Sequence, residues 1–149
     1  MLGLLRSFAL MVAMLTVVRP AAAEDRSMLL LRSCPSSPNC VSSITSDERH
    51  YIAPFAFSGS PEDAVARIRE ILAGRKDTRI LITRSDYLRV EFRTFLGFVD
   101  DGEFLVDAEA HCIHVRSASR IGWWDLGKNR RRLEEIRRDF LAYDGSFKR

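Results

Sequence analysis

Four short strand patterns follow one another between two amphipathic helical patterns, and this order constrains the fold more than any other feature of the chain. Thr78 to Arg84 (TRILITR) is short and β-branched. Tyr87 to Thr94 alternates, with Leu88, Val90 and Phe92 on one face and Arg89, Glu91 and Arg93 on the other. Phe98 to Asp107 and Cys112 to Ser119 complete the set. Short links between consecutive strands favour antiparallel pairing, because a parallel pair needs a long crossover. Ser85-Asp86 reads as a tight hairpin turn. Asp101-Gly102 is also a turn signal, but a continuous strand puts Phe98, Gly102, Phe104 and Val106 on one face, and the strand reading is preferred.

The helices are signalled at their ends. Ser60-Pro61-Glu62-Asp63 combines a capping hydroxyl, a first-turn proline and two acids that complement the helix dipole. Ala64, Val65, Ile68, Ile71 and Leu72 follow at three-and-four spacing, and Gly74 closes the helix. The second helix is predicted from about Gly127 to Ala142, with Leu126, Leu133, Ile136 and Phe140 as its apolar stripe. His50 to Phe57 suits a short strand that Pro54 confines to an edge or a bulge. The expected order is β-α-β-β-β-β-α. This is an α+β fold, a four- to five-stranded antiparallel sheet with both helices on one face.

The first residues follow the grammar of an export signal: Arg6, an apolar run from Phe8 to Val18, and Ala21-Ala22-Ala23 at a cleavage point. The apolar run is short of the roughly 20 residues that span hydrocarbon, so a cleaved signal over residues 1–23 is expected and not a membrane anchor. Removing Arg6 and Arg19 from the 23 basic residues leaves 21 against 20 acidic ones. Near-neutrality gives no mandate for nucleic acid or for an anionic membrane. Seven acids face two arginines between Asp86 and Glu109, whereas Arg116 to Arg138 is basic, so the two segments should lie together and compensate. Residues 24–46 read as an irregular arm and 47–149 as one domain, in a periplasmic or secreted protein.

Cys34-Pro-Ser-Ser-Pro-Asn-Cys40 is a short proline-stiffened loop, and in an exported chain a disulfide is its natural use. Closing seven residues contributes roughly 2.4 kcal/mol by loop entropy. Cys112 is left over and reads as a small buried hydrophobe. His111-Cys112-Ile113-His114 resembles a metal cluster, but on a strand only Cys112 and His114 share a face, so no metal site and no cofactor are assigned.

Three words carry a family resemblance: C-P-S-S-P-N-C-V-S-S (Cys34 to Ser43), F-V-D-D-G-E-F (Phe98 to Phe104) and V-R-S-A-S-R-I-G-W-W-D-L-G-K-N-R (Val115 to Arg130). In that order they resemble the family catalogued as domain of unknown function 1499, over nearly all of the chain beyond the signal. The resemblance implies bacterial relatives with export signals or membrane segments. It implies no activity, ligand or catalytic residue, so no role is carried over. Gly102 and Trp123-Trp124 depart from the pattern expected of the family.

Function is sought at the junction of the last strand and the last helix. Counting back from Leu133 by three and four places Arg130 and Asn129 on the inward side of the helix. Asp100 falls in the row of Phe98 and Phe104, and Ser117 and Ser119 continue the row of Ile113 and Val115. Buried polar groups need partners. Asp100 is therefore expected to pair with Arg130, or with Arg116 or Arg120 across a bulge. The candidate ligand-binding set is Asp100, Arg116, Ser117, Ser119, Arg120, Trp123, Trp124, Asn129 and Arg130. The preferred reading is a non-enzymatic envelope module that binds a small amphiphilic or anionic ligand, or a protein partner. The alternatives are an enzyme using a buried Asp100 or Asp101 beside arginine, and a purely structural envelope domain.

Overall fold

The computed structural model describes residues 31–143; the expected signal over 1–23 and its cleavage point lie outside the described residues. Six strands and two helices form in the order β1 (Cys40–Ser42), β2 (Phe55–Ala56), α1 (Pro61–Gly74), β3 (Thr78–Thr83), β4 (Tyr87–Arg93), β5 (Val99–Asp107), β6 (Cys112–Ser119) and α2 (Lys128–Ala142). The sheet runs β1-β6-β5-β4-β3 and every strand pair is antiparallel. The α+β class and the two helices on one face are as the periodicity predicts. The strand count is higher by one, because residues 40–42 of the expected irregular arm pair with the free edge of β6.

β6 is the centre of this arrangement. Its inner edge pairs with β5 along eight residues, Asp100↔Ser119 to Asp107↔Cys112. Its outer edge is shared by β2 at one end (Phe55↔Ile113) and β1 at the other (Val41↔Ser117). The strand expected over His50 to Phe57 shrinks to Phe55–Ala56, since Pro54 has no N–H to give the ladder. The disulfide Cys34–Cys40 forms and ties the start of β1 to the loop before it.

Ser60 caps α1 as expected: its Oγ accepts the Asp63 N–H. Ala64, Ile68, Ile71 and Leu72 of α1 and Leu133, Ile136 and Phe140 of α2 pack on Leu88, Val90, Phe92, Phe104, Val106, Ile113 and Val115 as one core. Asp101-Gly102 is mid-strand, as the shared face of Gly102, Phe104 and Val106 requires. Phe98 falls outside that row, in the turn before β5, and is half exposed.

Gly102 is there because of Phe92. A Cβ at Gly102 would lie 2.3 Å from Phe92 Cε2 and 2.7 Å from Val90 Cγ2, so the ring occupies the space a side chain would need.

Candidate functional site

Where β6 ends and α2 begins, the alternation of the strand sends polar residues to both faces of the sheet. Ser117 and Ser119 turn toward α2, whereas Arg116 and Arg120 turn away. The two faces carry separate polar systems.

On the helix face, Asn129 is the hub. Its Nδ2 donates to the Asn39 carbonyl and to Ser119 Oγ, both at 3.0 Å. Its Oδ1 accepts from Ser117 Oγ at 2.6 Å and from Arg132 Nη1 at 2.9 Å. All four hydrogen-bonding positions of the amide are filled. Arg132 extends the network: Nη2 donates to Asp100 Oδ2 at 2.7 Å and its guanidinium carbon lies 4.5 Å from the centre of the Phe92 ring. Asp100, Ser117, Asn129 and Arg132 are all buried.

The expected partner of Asp100 was Arg130; the structure corrects this to Arg132. Asn129, Arg132 and Ile136 follow at three-and-four spacing and share the inward face, while Arg130 lies off it. Arg130 instead donates from Nη1 to the Tyr51 carbonyl at 2.7 Å and from Nη2 to the Arg49 carbonyl at 3.2 Å. Counting from Ile136 and from Asn129, not from Leu133, would have found Arg132 in the sequence.

On the opposite face, Glu103 accepts from Arg32 Nε at 2.8 Å and Arg116 Nη1 at 3.1 Å. Arg116 Nη2 also reaches the Ser33 carbonyl, so the described part of the arm is fastened over β5 and β6. Burial, with the Glu103 carboxylate close by, pushes the Tyr87 hydroxyl up to about 12. Arg120 grips Asp101 through two bonds of 2.8 and 3.1 Å and reaches Glu91 at 2.7 Å. Arg116 and Arg120 thus pair with acids of the opposite face and not with Asp100. The acidic and basic segments compensate as their composition predicts.

Burial pulls the Asp101 carboxyl up, but the bonds and charge of Arg120, with Arg32 and Arg89, outweigh it and hold the group below its ordinary value. A carboxyl depressed in the folded state contributes stability that is present above the unfolded value of about 3.9 and lost as pH falls through the folded value. The Asp101→Asn variant is therefore expected to lose stability at neutral pH and to fall less steeply than the parent below about pH 4. Urea titrations between neutral and acid pH check the slope; parallel curves would refute it.

Beside the helix-face network a cleft of about 390 Å³ opens between two turns. One turn, Thr94 to Phe98, is held by Thr94 N–H to the Phe98 carbonyl at 2.8 Å and Phe98 N–H to Thr94 Oγ1 at 3.0 Å. The other, Ile121 to Leu126, is closed by Asp125, whose carboxylate accepts the Gly127 N–H at 2.9 Å and the Asn129 N–H at 2.7 Å. Asp125 is thus the side-chain cap of α2, and it fixes Leu126 and Gly127 in left-handed backbone at φ 55° and 73°. Leu126, expected in the apolar stripe, is consequently exposed.

The rim is strongly apolar. Phe95, Leu96, Phe98, Ile121, Trp123, Trp124 and Leu126 are all exposed, and all but Trp123 line the cleft. Thr94, Asp100, Ser119, Gly122, Asp125 and Lys128 complete the lining. Of the nine residues singled out in the sequence, Asp100, Ser119 and Trp124 reach this cleft. Ser117 and Asn129 lie in the buried network, Arg116 and Arg120 on the other face, Arg130 over the 49–51 backbone, and Trp123 beside the rim. The rim hydrophobics Phe95, Leu96, Phe98, Ile121 and Leu126 were not among the nine, nor were Thr94, Gly122, Asp125 and Lys128. The five hydrophobics had an available signal: T-F-L-G-F and I-G-W-W-D-L are turns too apolar for solvent.

Chemically the cleft offers contact area and little reactivity. Asp100 is engaged by Arg132 and Asp125 by two backbone amides, which leaves Lys128 as a cation with no side-chain partner among the described residues. Cys112 Sγ lies 3.8 Å from His114 Nε2, and burial pushes its thiol up, away from the thiolate a nucleophile needs. No group of three metal-ligating side chains occurs among the described residues. No helix among them is long and apolar enough to cross a membrane.

A family model described as Protein of unknown function (DUF1499) matches residues 30–140. Among curated proteins none matches.

Proposed function

We propose, for a chain that belongs to the DUF1499 family of proteins of unknown function, that it is an exported, non-enzymatic module that binds a small amphiphile. The apolar part of the ligand lies between the Thr94–Phe98 and Ile121–Leu126 turns, and its anionic head meets Lys128. What carries this reading is the cleft of about 390 Å³, rimmed by six exposed large hydrophobics and bordered by one lysine without a side-chain partner among the described residues. Its size suits a small ligand, and contiguous exposed apolar surface around a concavity marks a binding site more often than a structural one. Export is supported by the signal-like residues 1–23 and by the Cys34–Cys40 disulfide, which persists in an oxidising compartment.

Both tryptophans of the chain stand in the Ile121–Leu126 turn, Trp124 in the cleft lining and Trp123 beside it, so tryptophan emission reports on this end of the molecule. Titration with monomeric dodecanoate is expected to shift the emission to the blue and saturate. Lys128→Gln should weaken dodecanoate on the order of tenfold, the worth of one charge-assisted contact, and leave a zwitterionic twelve-carbon amphiphile unaffected. No emission change with anionic, zwitterionic or cationic amphiphiles would remove the proposal.

A further inference from the structure

We infer that the same end of the molecule docks on an anionic phospholipid surface, with the tips of the two turns seated in the headgroup region. The inference rests on the amphiphile-binding reading and adds the source from which the ligand is taken. Three observations carry it.

The first is the way the apolar side chains are presented. Phe95 is fully exposed and Leu96 nearly so, at the tip of a turn whose backbone bonds hold it closed from Thr94 to Phe98. A hydrogen-bonded turn cannot fold these side chains back onto the core, so they project as a fixed wedge. The second is the composition of the facing turn. Trp123 and Trp124 are 69% and 67% exposed beside Ile121 and Leu126. Indole rings with one apolar body and one N–H donor partition to the boundary between headgroups and acyl chains.

The third is charge. Arg93 immediately precedes the first turn, and Lys128 and Arg131 follow the second. Arg93 and Lys128 have no side-chain partner among the described residues, and the Arg131 guanidinium meets only the Leu126 carbonyl. Asp125 is the one acid of the second turn, and the acids nearest on the sheet are occupied: Asp100, in the cleft lining, by Arg132, and Glu91 and Asp101 by Arg120. An apolar tip ringed by cations matches an anionic bilayer and is the wrong match for a second copy of itself, which would bring like charges together. With the tips in the headgroups, the cleft between them opens toward the bilayer, where an amphiphile is found.

The test is sedimentation of the purified protein with vesicles of phosphatidylglycerol and phosphatidylcholine, or of phosphatidylcholine alone. The protein is expected to sediment with the anionic vesicles and to be released by salt, which screens surface charges at the membrane. Phe95→Ser with Leu96→Ser removes two side chains that support no core contact, and binding should fall at least tenfold at an unchanged unfolding midpoint. Arg93→Gln with Arg131→Gln should lower vesicle binding on the order of tenfold or more. Those two residues lie outside the cleft lining, so dodecanoate titration of that variant should be unchanged. Dodecanoate binding without vesicle binding would overturn the docking inference and leave the amphiphile reading standing; vesicle binding without dodecanoate binding would do the reverse. A stable dimer by light scattering, dissociated by the Phe95→Ser/Leu96→Ser change, would also overturn it by identifying a second copy as the occupant.

Discussion

The Arg132→Met variant is expected to lose about 3–5 kcal/mol of stability, the range for breaking a buried ion pair by removing one partner. Asp100 is left as a buried carboxylate whose 2.7 Å bond is gone, and the Asn129 amide loses one of its four partners. The Phe92 ring loses the guanidinium that lies 4.5 Å from its centre. Asp77, 3.9 Å from Arg132 Nε, also loses its contact with this cation, but it is only partly buried and keeps Arg75, so most of the loss falls on Asp100. The loss is mainly the cost of an orphaned charge, so removing that charge should return most of it. Arg132→Met combined with Asp100→Leu is expected to recover more than half the loss, as buried pairs replaced together by apolar residues often are neutral. Urea unfolding of the two single variants and the double measures the coupling directly. A loss under about 1 kcal/mol for Arg132→Met would mean that the pair is solvated and the network is not closed.

The second large effect is expected at Gly102. Adding a methyl group there requires the Phe92 ring, 2.3 Å from the new Cβ, to move within a close-packed core. Gly102→Ala should cost about 1–3 kcal/mol, the usual penalty for overpacking, and Gly102→Val more. The ring that must move is the one beneath Arg132, so the penalty should couple to the ion pair. In a background of Arg132→Met, where the space over the ring is less constrained, Gly102→Ala should cost measurably less. Phe92→Leu is expected to rescue Gly102→Ala for the same reason. Equal penalties in all three backgrounds would show that the ring yields without disturbing Arg132.

These two sites illustrate what was legible in the sequence. Period-two alternation in Tyr87 to Thr94 and the capping signature at Ser60-Pro61 report local preference, and the corresponding elements formed. The charge asymmetry between residues 86–109 and residues 116–138 was also legible, and acids of the first segment meet bases of the second as pairs, Glu103 with Arg116, Asp101 with Arg120 and Asp100 with Arg132. Asn129 was legible as an inward amide because it continues the helical stripe. Arg132 was not, because a count from one core residue leaves an uncertainty of one position, and on a helix one position is 100° of rotation. The division of Arg116 and Arg120 from Ser117 and Ser119 follows from strand parity alone, yet grouping them as one site required overlooking it.

The cleft was hidden for a different reason. Its rim is built from two turns distant in sequence, and only the antiparallel register brings the start of β5 beside the end of β6. Leu126 was assigned to the helix stripe by spacing. Asp125 overrides that spacing by accepting the Gly127 and Asn129 N–H groups, so that the helix begins at Lys128 and Leu126 is left in left-handed backbone outside it. Aromatic residues flanking glycine in a turn were the signal to weigh, since such turns are normally polar.

Backbone amide NMR during titration with monomeric dodecanoate tests the central claim most directly. Chemical-shift changes are expected in Thr94 to Phe98 and in Ile121 to Lys128, with the β3 edge and the loop closed by Cys34–Cys40 undisturbed. Saturable changes confined to those other regions, or none in either turn at concentrations well above the ligand's expected affinity, would contradict an amphiphile site between the two turns.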